Sequence, residues 1–165
     1  MTNTETIEAY AARTSKDRSV WYGGFLLTFL ATGEETAGSF SLVEVLGQKG
    51  LSAEPPLHVH TREEESFYVL EGEMTAYVGD EVISAPAGTF VVLPRGVPHR
   101  YEISEEFRAL NLITPAGFEG FFRELSEPAR ELTLPPPPEG PPDVAHLVST
   151  AARYGCEILP PPPEE

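Results

Sequence analysis

Basic residues are scarce in this chain: 11 Lys and Arg stand against 26 Asp and Glu, for a formal charge of −15. Phosphate neutralisation needs clustered cations, so neither nucleic acid nor an anionic membrane is an expected partner. The acidity itself reads as solubility. Cysteine is nearly absent. Cys156 alone excludes a disulfide framework within the chain, agrees with a reducing compartment, and sits in the tail away from the paired histidines, so it reads as structural. No apolar run reaches the roughly eighteen residues that a spanning helix needs. The opening stretch MTNTETIEAYAARTSKDRS has no apolar core of a secretory signal, which makes the cytoplasm the expected compartment. Internal repeats, a second domain and a helix-turn-helix are all missing. What remains is one domain of 165 residues, long enough to bury a core.

The middle of the chain is strand after strand. SVWYGGFLLTFL, SFSLVEVL, SFYVLEGE, TAYVGD, EVIS, TFVVLP and RALNLIT are short and rich in β-branched and aromatic residues. Gly, Pro, Asp and Ser separate them, the pattern of an all-β sandwich or barrel. Gly79-Asp80 supplies a tight hairpin turn. Helix enters late: GFEGFFRELSEPAR spaces Phe118, Phe121, Phe122 and Leu125 along one face, with Pro128 as its limit. A stiff proline-rich spacer follows at 135–142. DVAHLVSTAARYG then predicts a second short helix, with Asp143 as N-cap and Gly155 as its stop. The expected division is an N-terminal arm (1–18), a β-barrel (19–115), a helical lid or packing segment (116–134), the linker (135–142), and a C-terminal helix and tail (143–165) whose end, LPPPPEE, is expected to fray.

Two of the four histidines stand in PPLHVHTREEESFYVLEGE. Residues i and i+2 of a strand share a face, so His58 and His60 project together as a two-nitrogen clamp for a transition metal. A carboxylate would complete an open site, and Glu63, Glu64 and Glu65 compete for that part. Alternation along the next strand places Glu65 with Phe67 and Val69, which look like barrel filling. Glu63 and Glu64 are then turn residues expected to face solvent. Tyr68 and Leu70 are also apolar enough to point inward, so parity favours Glu65 without fixing it. GTFVVLPRGVPH adds His99 at the start of another strand, where barrel closure would bring it to the first trio.

These segments resemble the two motifs of the cupin superfamily. The first has His-x-His, three or four residues, Glu, six residues and Gly; here stand His58, His60, Glu65 and Gly72, preceded by Gly50 at a slightly longer gap than usual. The second maps onto Gly88, Pro94, Gly96 and His99, with Ile103 where the pattern has Asn. The resemblance covers about residues 40 to 115. It implies a double-stranded β-helix (jelly-roll) barrel with short C-terminal helices, and makes His58, His60, Glu65 and His99 ligands of one divalent transition metal (Fe, Mn, Ni, Co, Cu or Zn). Cupins commonly pair, so a homodimer is expected. The N-terminal strand VWYGGFLLTFL either completes its own barrel or crosses to the partner.

LNLITPAGFEGFFRELSEP is similar to the quercetinase branch of that superfamily, in which a Phe-Phe-Arg helix closes over the barrel mouth. SFSLVEVLGQKG and AARYGCEIL resemble the same branch. The resemblance implies a metal-dependent dioxygenase that opens a flavonol or a related aromatic or enolic small molecule with dioxygen. Glu65 would then be the catalytic base. Phe67, Tyr101, Phe118, Phe121 and Phe122 are the candidate substrate pocket, Tyr101 being in phase with His99. The alternatives are another metallo-cupin enzyme, an isomerase or decarboxylase, or a non-catalytic metal or small-ligand binder. Enzymes of the former kind acting on anions want Arg or Lys inside the barrel, and Arg62, Arg95, Arg100 and Arg108 are the few near the motifs.

Overall fold

Alternation governs the barrel walls. In a computed structural model, which describes residues 6–161, inward and outward side chains take turns along the long strands. A short 3-10 turn (Lys16–Arg18) leads into β1 (Ser19–Tyr22), β2 (Phe25–Ala31), β3 (Ser41–Gly47), β4 (His58–His60), β5 (Glu64–Glu71), β6 (Glu73–Val78), β7 (Glu81–Pro86), β8 (Phe90–Leu93), β9 (His99–Ile103) and β10 (Phe107–Thr114). Helix α1 (Glu119–Glu124), β11 (Glu127–Pro128), α2 (Val144–Arg153) and β12 (Cys156–Ile158) complete the chain.

The strands form two antiparallel sheets, ordered β11-β1-β2-β3-β10-β5-β8 and β12-β4-β9-β6-β7. This is an all-β jelly-roll. The core between the sheets includes Phe67, Val69, Met74, Leu93, Phe107 and Ala109, all essentially buried. Each large apolar side chain buried there contributes roughly 1.5–3 kcal/mol. Gly72 ends β5 at φ +77°, and a Cβ on it would lie 1.9 Å from the carbonyl oxygen of Glu106. Only glycine fits that approach.

Several local expectations are refined. The N-terminal apolar segment is not one long strand. Gly23 and Gly24, both at positive φ, fold it into the hairpin β1–β2, which continues onto β3 of its own sheet. The Phe-rich helix is shorter than its spacing predicts: it stops at Leu125, and Glu127–Pro128 return to pair with Val20 and Trp21. The second helix runs as expected, with the Asp143 carboxylate accepting from His146 N–H at 3.0 Å and Gly155 at φ +73°. Residues 135–142 join no sheet. The arm is tied to the barrel by Tyr10, whose hydroxyl donates to Leu30 O at 3.0 Å. At the other end Leu159 N–H donates to Leu57 O, so fraying does not reach that residue; 162–165 lie outside the described residues. No helix among the described residues is long and apolar enough to cross a membrane.

Candidate metal centre

Strand β4 is three residues long, and its pattern buries both histidines while Val59 turns away. His58 is the direct partner of His99 across the β4–β9 ladder. Glu65 reaches the same point from β5. One potential ligand atom from each of His58, His60, Glu65 and His99 lies within 4.8 Å of all the others. The Nε2 atoms of His58, His60 and His99 are 4.0, 3.2 and 3.1 Å from Glu65 Oε2. All four residues are buried.

The outer ring nitrogens settle the orientation. His58 Nδ1 sits 2.8 Å from Pro56 O and His99 Nδ1 3.2 Å from Val97 O. A carbonyl only accepts, so both rings carry Nδ1–H and turn an Nε2 lone pair inward. His60 Nε2 is close to Glu65 yet lacks hydrogen-bond alignment with any group. An orphaned buried nitrogen aimed with two others at one carboxylate oxygen fits a shared ion better than a mutual hydrogen bond. Three imidazoles and a carboxylate suit a divalent first-row metal and leave coordination positions open.

Asn111 supports the carboxylate. Its Nδ2 donates to Glu65 Oε1 at 3.1 Å and to Ser66 O at 3.2 Å. The sequence reading missed it, although an Asn between Ala109 and Ile113 on the inward face of β10 is the signal that would have found it. Glu63 is a correction. It is 4% exposed, not solvent-facing, because the turn after β4 folds its carboxylate back to 3.6 Å from His60 Nδ1. Glu64 is the outward neighbour, paired with Arg95. Cys156 is a second correction: β12 lies on β4 with Cys156 opposite His60, so the tail forms part of the site wall.

The electrostatics follow from burial. Burial, reinforced by His99, pulls His58 down from 6.5 to about 4. Burial also works against a charged His60, but the carboxylates of Glu63 and Glu65 outweigh it and raise it to about 9. For Glu65 burial favours the neutral acid, yet His60 and His99 hold it well below the usual carboxylate range. Burial pushes the Cys156 thiol up to about 12, so it remains protonated and unreactive.

His58, His60 and Glu65 edge a largely apolar cavity of about 290 Å³. Phe67, Tyr101, Phe118, Phe121 and Phe122 all line it. The Phe118 ring stands edge-on to His60 at 4.5 Å and stacks on Phe121 at 4.8 Å, while Phe67 meets Tyr101 at 5.2 Å. Tyr22 was not expected; its ring bridges β1 to Phe121 and Phe122 at 5.8 and 5.3 Å. Among the described residues no Lys or Arg lines it.

The fold is thus a two-sheet antiparallel barrel that gathers three histidines and a glutamate, a cluster that could hold a metal ion, beside an apolar cavity. The sequence pattern described as the cupin domain matches residues 48–113, a span that holds all four ligand candidates. The chain belongs to the cupin superfamily. It is 30% identical over 118 residues to a quercetin 2,3-dioxygenase of Bacillus subtilis (strain 168). That match covers 71% of this chain and 34% of the relative, so the chain spans about a third of the relative's length. Among solved structures, an RmlC-like cupin from Shewanella frigidimarina aligns with a TM-score of 0.56 at 20% identity, over 70% of this chain and 99% of that one. The Streptomyces nucleoside dehydratase Pac13 aligns with a TM-score of 0.53 at 18% identity, over 75% and 95%.

Proposed function

We propose that the chain is a metal-dependent, quercetinase-like dioxygenase that opens a flavonol or a related aromatic or enolic small molecule with dioxygen, releasing carbon monoxide from a flavonol. The observation that carries this reading is the cavity: its wall is largely aromatic and aliphatic, no Lys or Arg of the described residues lines it, and it ends on the ligand-candidate cluster. A flat neutral substrate gains burial and edge or face contacts there. Apart from the metal, a sugar phosphate or a dicarboxylate would meet no Lys or Arg from the described residues, which weighs against an isomerase or decarboxylase.

His58, His60, Glu65 and His99 would hold one divalent metal. When bound, that ion supplies Lewis acidity toward a substrate oxygen and an open position beside it. Glu65 accepts the proton of the substrate hydroxyl as general base, being the buried carboxylate at the cavity's edge. Asn111 keeps that carboxylate turned toward the histidines. Phe118, Phe121 and Phe122 hold the ring system and exclude water, with α1 as the cover. The protein is read as a homodimer.

Metal-free protein loaded in turn with Fe, Mn, Ni, Co or Cu and mixed with quercetin in air tests this. Loss of the flavonol absorbance is expected with at least one metal, and abolition of that loss in Glu65→Ala. Stoichiometric metal binding with no loss for any metal refutes the reading.

A further inference from the structure

We infer that Glu63 is a positioning residue for the metal centre, its buried carboxylate receiving the Nδ1–H of His60. This rests on reading the four-residue cluster as a metal site. Two of the three histidines have their outer nitrogen fixed by a backbone carbonyl, Pro56 O for His58 and Val97 O for His99. His60 has none. The polar atom facing its Nδ1 is Glu63 Oε2 at 3.6 Å, and both atoms are buried without a hydrogen bond among the described residues.

A buried carboxylate left unpaired is strongly unfavourable, so its presence needs a reason. No Lys or Arg among the described residues lies within ion-pair distance of Glu63; His60 does. Charge-assisted N–H···O⁻ bonds settle at about 2.7–2.9 Å, so a shift of under about 1 Å by one side chain completes this one. The local chain makes the meeting possible: Thr61 and Arg62 bend between β4 and β5, and the i,i+3 spacing brings the carboxylate to 3.6 Å from the ring's Nδ1.

The consequence differs from that of a carbonyl. A carboxylate accepting from Nδ1 draws that proton outward and makes Nε2 the more basic donor. His60 is therefore the strongest nitrogen donor of the three. The neighbouring glutamates divide the labour: Glu65 faces the ion, Glu63 stands behind a ligand, and Glu64 binds Arg95 at the surface.

The test is cobalt(II) titration of metal-free wild type, Glu63→Gln, Glu63→Leu and Glu64→Gln, with affinity read by chelator competition and ligand field by the visible absorption band. Loss of such a partner typically weakens a metal site about 10–100-fold. Weakening of about tenfold or more is expected for Glu63→Leu, less for Glu63→Gln, each with a displaced cobalt band, and none for Glu64→Gln. Should Glu63→Leu fail to fold, the isosteric Glu63→Gln decides alone. Wild-type affinity in the folded Glu63 variants overturns the inference, as does weaker binding with an unmoved band, which marks a purely structural role. No cobalt binding by wild type overturns the metal-site reading instead.

Discussion

Asn111 shows how one amide can govern the site. It engages Glu65 Oε1 from the neighbouring strand, which leaves Oε2 as the atom that meets the three histidines. Asn111→Leu leaves Oε1 buried and unpaired; the expected result is metal binding about 10-fold weaker, measured by chelator competition. Unchanged affinity would mean that the carboxylate needs no support. The histidines also dictate how the metal-free protein responds to pH. His60 keeps its proton to about 9 in the folded chain but loses it near 6.5 when unfolded. Its stabilising contribution is thus complete below 6.5 and disappears as pH rises through 9. His58 works in the opposite direction. The folded ring resists protonation down to about 4 while the unfolded one accepts a proton near 6.5, so its contribution is lost on acidification between those values. The two contributions together are therefore greatest near pH 6.5, and bound metal would remove the alkaline decline because it would displace the His60 proton. Denaturant midpoints across that range, with and without metal, check this. At this scale the strand histidines and Glu65 were legible, because parity and spacing are local. Glu63 was not, because its burial depends on how a turn folds back.

Among the elements, β4 has little structure of its own, with three residues held between β9 and β12. The C-terminal strand completes it: Thr61 N–H donates to Gly155 O, and Leu159 N–H to Leu57 O. The tail thus closes an edge next to two metal-ligand candidates. A partner so far along the chain leaves no local trace, which is why Cys156 read as remote. The shortened α1 has a similar cause, since pairing of Glu127–Pro128 with β1 overrides helical periodicity. The Gly79-Asp80 hairpin and the Asp143 cap were legible because turn and cap chemistry is local, whereas the β1–β2 hairpin was not foreseen. Gly72 gives this scale its prediction. Left-handed φ costs an alanine roughly 1–2 kcal/mol. The Cβ clash with Glu106 O adds to that, so Gly72→Ala lowers the denaturant midpoint by more than the backbone term alone. An unchanged midpoint would show that the turn relaxes freely.

The whole molecule is an acidic jelly-roll with a largely apolar cavity. Arginines and cavity are separated: Arg95, Arg100, Arg108 and Arg153 are engaged in ion pairs with glutamates and none lines the cavity, where the acidic residues are Glu54 and Glu65. The jelly-roll and the meeting of His58, His60, Glu65 and His99 were foreseeable from two short motifs, whereas the cavity's wall needed the packing of α1, α2 and β12 against the barrel. Fold likeness alone does not choose the reaction, since a dehydratase shares this architecture. The choice rests on the cavity's chemistry and on likeness to a quercetin dioxygenase. Ring opening of a flavonol consumes dioxygen and releases carbon monoxide in equal amounts. The decisive measurement is carbon monoxide release from quercetin by metal-loaded protein in air, alongside oxygen uptake. Equimolar release and uptake, lost on chelation, is the predicted result; quercetin left intact by fully loaded protein, or consumed without carbon monoxide, would contradict it.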